Sequence, residues 1–164
     1  MKFTLVYFTH EIFRSPISQR LLDYLSKHAE TFVTFPALIA GEIEDQIEIN
    51  LQELEEKSDN PFLFVGVGHT SYWTNYFANR FLSPRILIEP FITVDSEKDF
   101  VVFHGVPGLV IHTSDSVAGQ YPKLLSAMYQ MNEVSVDDIF DFSEGSPVPK
   151  IIDEFVDDLS RFAI

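Results

Sequence analysis

The 164-residue sequence contains no cysteine, few basic residues and no long apolar run. Without cysteine there are no disulfide bonds, thiol nucleophiles or thiolate metal ligands, which is typical of proteins in a reducing compartment. No apolar run approaches the roughly 18 residues that a transmembrane helix requires. Residues 1–8 read as a first strand and lack the cleavage site of a signal peptide. We therefore expect a cytoplasmic protein without membrane-spanning segments.

The charge balance is strongly acidic. Lys and Arg together number 11 and Asp and Glu number 25, which gives a formal charge of −14. Such a surface repels phosphates and argues against direct binding to nucleic acid or to anionic membranes. Solubility through self-repulsion is the simplest explanation. The alternative is contact with a basic partner through two acidic surfaces, which are helix 46–57 and the group Asp153, Glu154, Asp157 and Asp158.

Composition and patterning predict one α/β domain over residues 1–164. The chain is 46% hydrophobic and contains sixteen Phe residues, so we expect a sizeable core that is rich in aromatic rings. Strand-like and helix-like segments alternate, without an internal repeat or a linker. This alternation predicts a three-layer sandwich, in which helices cover both faces of a mostly parallel sheet.

The individual elements follow from hydrophobic periodicity. The segment 99–104 is compatible with either a short helix or a strand. In helix two, Ile47, Leu51 and Leu54 should point inward and Glu48 outward. Strands are predicted at 3–8, 31–35, 62–66, 85–88 and 109–112, with one more near the end of 134–142. Helices are predicted from Pro16, from about Asp45, and over 70–82, 117–131 and 148–162.

The most informative stretch is residues 61–77. After Pro61, an apolar run leads into Gly66-Val67-Gly68, and a polar triplet and an aromatic-rich helical pattern follow. The pattern predicts a buried strand, a very tight turn and a buried helix. Such a turn presents its middle residue at the carboxyl edge of a sheet, where sites are usually built. Here the middle residue is Gly68, which has no side chain.

Four stretches of the chain together resemble one known family. Leu5 to His10, with Ser15-Pro16 downstream, resembles a strand followed by His-Gly and a Ser-Pro helix start. Gly66 to Tyr72 resembles the nucleophile elbow Gly-Ser-Ser-Leu-Gly-Gly-Tyr. Ile88-Glu89-Pro90 resembles a strand that ends in Asn-Pro, and Thr113 to Val117 resembles Thr-Gly-Asp-Glu-Val, which carries the triad acid. These motifs belong to the YqiA-like esterases of the α/β-hydrolase superfamily, and the similarity extends over nearly the whole chain.

The resemblance implies a compact α/β-hydrolase-like fold, but the chain departs from the family at its catalytic positions. The nucleophilic serine falls on Gly68, and the triad histidine falls near Pro147, with no histidine after His112. The family's His-Gly becomes Thr9-His10. The segment between strands four and five is short, which implies a reduced lid. Asp115 alone remains from the triad.

Acyl transfer on this fold requires a hydroxyl at the elbow and a histidine that accepts its proton. Asp115 without these partners is not a catalyst, and a helix cap at the start of helix 117–131 explains it better. The nearest hydroxyls belong to Thr70, which should cap the helix, and Ser71, which should point away from the elbow. We therefore expect a degenerate, non-catalytic member of the family that binds a protein partner or a small ligand and needs no cofactor or metal.

Two alternatives remain open. His10, His69 and Asp115 should all lie at the carboxyl edge, where they could perform residual hydrolysis or bind a divalent metal. Loop histidines bonded to nearby backbone would explain the same residues. The Gly66-Val67-Gly68 turn could also be a partial dinucleotide fingerprint, although Ser71 replaces its third glycine and the turn belongs to the third βα unit. The residues His28, His104 and His112 are expected to be surface or packing residues.

Overall fold

A computed structural model of the chain describes residues 2–9, 16–36, 42–90, 106–113 and 131–162. Short 3-10 helices occupy Ser26–His28 and Gly68–Thr70. The strands in these ranges are β1 (Phe3–Thr9), β2 (Ala29–Pro36), β3 (Phe62–Val67), β4 (Arg85–Ile88), β5 (Gly108–Thr113) and β6 (Asn132–Val136). The α-helices are α1 (Pro16–Leu25), α2 (Glu42–Lys57), α3 (Ser71–Arg80) and α4 (Pro147–Phe162).

The six strands form one sheet in the order β2-β1-β3-β4-β5-β6, and every neighbouring pair is parallel. The central strands are apolar on both faces because helices cover both sides of a parallel sheet. All four residues of β4 are buried, as are the first five of β3. The predicted α/β sandwich with a parallel sheet is confirmed.

Helices α1 and α4 cover one face of the sheet. Alternate strand residues, represented by Leu5, Leu63 and Ile111, point toward this face and are fully buried. They pack with Leu21 of α1 and Ile152 of α4 in one apolar cluster. Burial of side chains of this size is the main stabilising contribution to a fold of this kind.

The opposite face carries α2 and α3 and is rich in aromatic rings, as the composition predicts. Phe8 of β1 stacks on Phe77 of α3, with ring centroids 5.5 Å apart. Phe62 of β3 meets Phe81 edge-on at 5.7 Å. Leu51 of α2 is fully buried in the same cluster. This packing fixes α3 against β3 and thereby positions the turn that connects them.

One detail of the sequence-based assignment is wrong. The last strand lies at residues 132–136 and not near the end of 134–142, because residues 137–146 form a series of turns. Glu48 lies at the surface in an ion pair, in which its Oε1 atom accepts a hydrogen bond from Arg80 Nη2 at 2.6 Å. Three predicted features lie outside the described residues. They are the element at 99–104, most of the helix 117–131 and most of the segment predicted to be a reduced lid.

Within the described ranges, no helix is both long and apolar enough to cross a bilayer.

Candidate functional site

The strand order changes direction between β1 and β3. From β1 the chain moves to one side to form β2, and it then returns to the other side to form β3 and the later strands. In an open parallel sheet, a change of this kind leaves a crevice beyond the carboxyl ends of the two strands, where ligands usually bind. Thr9 ends β1 and Val67 ends β3, so the predicted turn at Gly68 lies beside this crevice.

The turn at Gly68 is held by the side chain of Thr70. The Oγ1 atom of Thr70 accepts a hydrogen bond from the amide of Val67 at 2.9 Å and donates one to the carbonyl of Val67 at 3.0 Å. The hydroxyl therefore closes the turn on the end of β3. The prediction that Thr70 caps the following helix is wrong, since this side chain makes no capping hydrogen bond to α3.

Gly66 allows α3 to approach β3 closely. A Cβ atom at this position would lie 2.9 Å from the Cβ atom of Thr74, and even closer to Oγ1 of Thr74. Thr74 is itself fixed, because its Oγ1 atom donates to the carbonyl of Thr70 at 2.8 Å. The glycine thus has a packing role that explains it without a nucleotide ligand.

Gly68 has a backbone conformation that favours glycine, with φ at +58°. A Cβ atom built there would have no atom within 4 Å among the described residues. The described part of the chain therefore leaves space for a side chain at the head of the turn, where glycine has none. Gly68 itself therefore offers backbone groups and no side chain that could act as a nucleophile or proton donor.

Ser71 is the next hydroxyl in the turn, and its surroundings differ from those of Gly68. Its side chain is fully buried at the start of α3. Its Oγ atom has no hydrogen-bond partner in the described part of the chain. A catalytic serine needs a base within hydrogen-bond reach and access to substrate. Ser71 has neither among the described residues.

Glu89 is a carboxylate at the same edge that sequence reasoning treated only as the end of a strand. Its Oε1 atom accepts a hydrogen bond from the amide of Thr113 at 2.5 Å, and its own amide donates to the carbonyl of Ile111 at 2.8 Å. Its φ of +47° is unusual for a residue with a side chain. Such strained positions concentrate at functional sites. Here the carboxylate joins the carboxyl ends of β4 and β5, and no local sequence signal indicates this.

His112 was expected to be a surface or packing residue, and the structure places it in a buried polar pair. Its side chain is almost fully buried, and Nε2 contacts Oε1 of Glu133 on the neighbouring strand β6. The other ring nitrogen, Nδ1, lies 3.1 Å from the carbonyl oxygen of Thr113. Because both ring nitrogens lie beside oxygen acceptors, His112 links β5 to β6. Among the described residues, neither ring nitrogen has a hydrogen bond to the turn at Gly68.

The predicted grouping of His10, His69 and Asp115 stays a prediction. His10 and Asp115 lie outside the described residues, and only the backbone of His69 is described, in the 3-10 helix after β3. Over the described ranges, no group of three or more His, Asp or Glu side chains could hold a metal ion. The position of the family's triad histidine falls near Pro147, which is the first residue of α4.

The acidic surfaces predicted as contact faces are only partly available. Glu154, Asp157 and Asp158 on α4 are exposed, as are Glu53 and Glu56 on α2. Asp153 is partly exposed, but its carboxylate is already engaged within the chain. Its carboxylate accepts hydrogen bonds from Tyr24 at 2.5 Å and from Lys27 at 3.1 Å, so it stabilises the contact between α1 and α4.

Comparison of the chain with protein-family models, curated proteins and solved structures finds no match. The geometry of the carboxyl edge and the motifs of the chain itself therefore carry the functional inference.

Proposed function

We propose that this protein is an α/β-hydrolase-like protein of the YqiA-like type that has lost catalysis and acts by binding a protein partner or a small ligand. The observation that supports this most directly is the conformation of Gly68. The residue stands at the head of a sharp strand–turn–helix, with φ at +58°, and no atom of the described residues occupies the space where a side chain would project.

A hydrolase elbow displays its serine from a strained turn at the end of a central strand. The turn between β3 and α3 has the positive φ and the open volume that such a serine would need, but a hydrogen atom takes the place of the side chain. Removal of the nucleophile from a serine hydrolase reduces kcat by a factor on the order of 10⁶. The hydroxyl of Thr70 is already bonded to Val67, and that of Ser71 is buried, so neither is available as a substitute.

The surrounding architecture supports a binding role without specifying the ligand. A crevice at the change of strand direction is a common ligand site in parallel sheets, and unrelated functions share this arrangement. The net charge of −14 disfavours nucleic acid and anionic membranes and favours basic or neutral partners. The absence of cysteine fits a protein that acts in the cytoplasm.

The proposal is tested by hydrolysis of short-chain p-nitrophenyl esters with purified protein. We expect the wild-type protein and the Asp115→Ala variant to release p-nitrophenol at the rate of buffer alone. The same measurement is repeated with added zinc or magnesium, because a repurposed site of His10, His69 and Asp115 would use a metal. Hydrolysis well above buffer that Asp115→Ala abolishes would overturn the proposal and establish the protein as an enzyme.

A further inference from the structure

Two adjoining hollows lie between α1, α4 and the turns at 137–146. One has a volume of about 440 Å³ and is bordered by Arg20, Asp138 and Phe140. The other has a volume of about 500 Å³ and lies beside Lys27 and the start of α4. Phe142 lines both hollows. The two hollows therefore meet at Phe142, and we call them together the α1–α4 groove.

Aromatic rings provide the apolar part of this groove. The ring of Phe142 lies 6.0 Å from that of Tyr24, at an interplanar angle of 48°. The side chain of Phe140 is 44% exposed, although it is a large apolar group. A concave surface with exposed rings is suited to the aliphatic parts of a ligand.

The charges around the groove are unbalanced. Six acidic side chains border it, against three basic ones. Two of the bases are already engaged, because Arg20 Nη1 donates to the carbonyl of Phe140 at 2.8 Å and Lys27 Nζ lies 2.9 Å from Asp153. The carboxylates of Glu144 and Asp157, in contrast, are exposed and have no ion pair or hydrogen bond among the described residues. With six acidic and three basic side chains, the groove carries an excess of three negative charges, and Glu144 and Asp157 are carboxylates that a cation of a partner could reach.

We propose that the α1–α4 groove binds an extended segment of a partner protein that carries lysine or arginine side chains between apolar ones. The apolar side chains would contact Phe140 and Phe142, and the cations would lie beside Glu144 and Asp157. An extended segment could contact both hollows at once, because they meet at Phe142. Complementary charge at such a rim sets specificity and the rate of association. The inference rests on the proposed binding function, and it identifies the partner class and the surface.

The experiment measures binding of a fluorescent peptide of alternating lysine and leucine to the full chain by anisotropy. We expect saturable binding, and no binding of the counterpart in which glutamate replaces lysine. The double variant Glu144→Gln/Asp157→Asn should weaken binding by about tenfold. Phe140→Ala should also weaken it, and this truncation keeps the backbone atoms of Phe140 that bond to Arg20 and Asp138.

The matched control changes the same amount of charge elsewhere. Glu53→Gln/Glu56→Gln removes two exposed carboxylates from α2 and should alter the dissociation constant by less than about twofold. Equal weakening by both double variants would mean that net charge alone attracts the peptide, and the inference would be wrong. Absence of saturable binding to the wild-type protein would also contradict it. Ester hydrolysis by the wild-type protein would overturn the loss of catalysis and leave this binding result unchanged, so the two failures can be distinguished.

Discussion

The side chain of Thr74 occupies the space into which a side chain at Gly66 would project. A Cβ atom on Gly66 would lie 2.9 Å from the Cβ atom of Thr74, which is closer than unstrained atoms approach. Because Gly66 lies in β3 and Thr74 in α3, this contact sets the distance between the strand and the helix. The turn at Gly68 connects the same two elements and depends on that distance.

We predict that Gly66→Ala lowers the free energy of unfolding by about 1–3 kcal/mol, because the added methyl group overpacks the contact with α3. Urea unfolding monitored by circular dichroism would measure the loss. Thr74→Ala removes the closest atom, so the double variant should be more stable than the sum of the two single changes predicts. Strict additivity would show that Thr74 does not set the strand–helix distance.

A second prediction concerns the buried guanidinium of Arg85. The Oδ1 atom of Asn79 accepts a hydrogen bond from Arg85 Nη1 at 2.6 Å, and both side chains are buried. Asn79→Ala removes an acceptor from a buried cation and should lower the free energy of unfolding by about 2–3 kcal/mol. Denaturant titration at constant pH is the appropriate measurement.

Asn75 provides the control, one helical turn away on α3. It is as buried as Asn79, but its Oδ1 atom has no hydrogen-bond partner in the described part of the chain. Asn75→Ala should therefore destabilise the protein by less than about 1 kcal/mol. If the two alanine variants lose the same stability, the hydrogen bond to Arg85 is not what makes Asn79 important.

A third prediction concerns the pH dependence of stability through Asp153. Burial tends to raise the pKa of this carboxyl, but hydrogen bonds from Tyr24, Lys27 and His28 outweigh it and hold the pKa below its ordinary value of 3.8. A depressed folded-state pKa contributes stability above the unfolded-state pKa, and this contribution is lost as the pH falls through the folded-state value.

Asp153→Asn should therefore lower the free energy of unfolding by about 0.5–1 kcal/mol at pH 5, a range that allows for solvent screening of a partly exposed group. The difference from the wild-type protein should narrow as the pH falls below about 4. Thermal unfolding between pH 5 and pH 2 would show this. Asp157→Asn, on the exposed side of α4, should change stability at pH 7 by less than about 0.5 kcal/mol. A difference for Asp153→Asn that widens toward acid pH would contradict the assigned role.

The strands that lie inside the sheet could be predicted from the sequence because each is a short apolar run bounded by turn residues. The segment 62–66 was predicted as a strand, and β3 spans Phe62–Val67. The sharp turn at Gly68 was also predicted, because a Gly-x-Gly sequence after such a strand favours a positive φ. These features depend on residues that are neighbours in the chain.

The end of the sheet was predicted incorrectly because side chains there compete with the strand ladder. Residues 139–142 contain two Phe and a partial alternation of apolar and polar side chains, and both features favour a strand. The carboxylate of Asp138 instead accepts a hydrogen bond from the amide of Phe140 at 2.8 Å. The carboxylate of Asp141 accepts one from the amide of Ser143 at 3.0 Å. These local bonds favour turns over strand pairing.

The polar contacts of the core could not be predicted because their partners are distant in sequence. Arg85 was correctly assigned to a strand, but its complete burial depends on the hydrogen bond that it donates to Asn79 of α3 and on contact with Met131. His112 likewise becomes a buried residue only when β6 brings Glu133 beside it. Hydrophobic periodicity cannot predict such pairs, because they form only when the fold brings distant residues together.

The most direct test of the proposed loss of catalysis is intact-mass analysis of the wild-type protein after incubation with a fluorophosphonate, which forms stable adducts with activated serines. The absence of a side chain at Gly68, the bonded hydroxyl of Thr70 and the buried hydroxyl of Ser71 predict no adduct on residues 66–71, as determined by peptide mapping. A stoichiometric adduct on Thr70 or Ser71 would contradict the account and show that the turn still carries a working nucleophile.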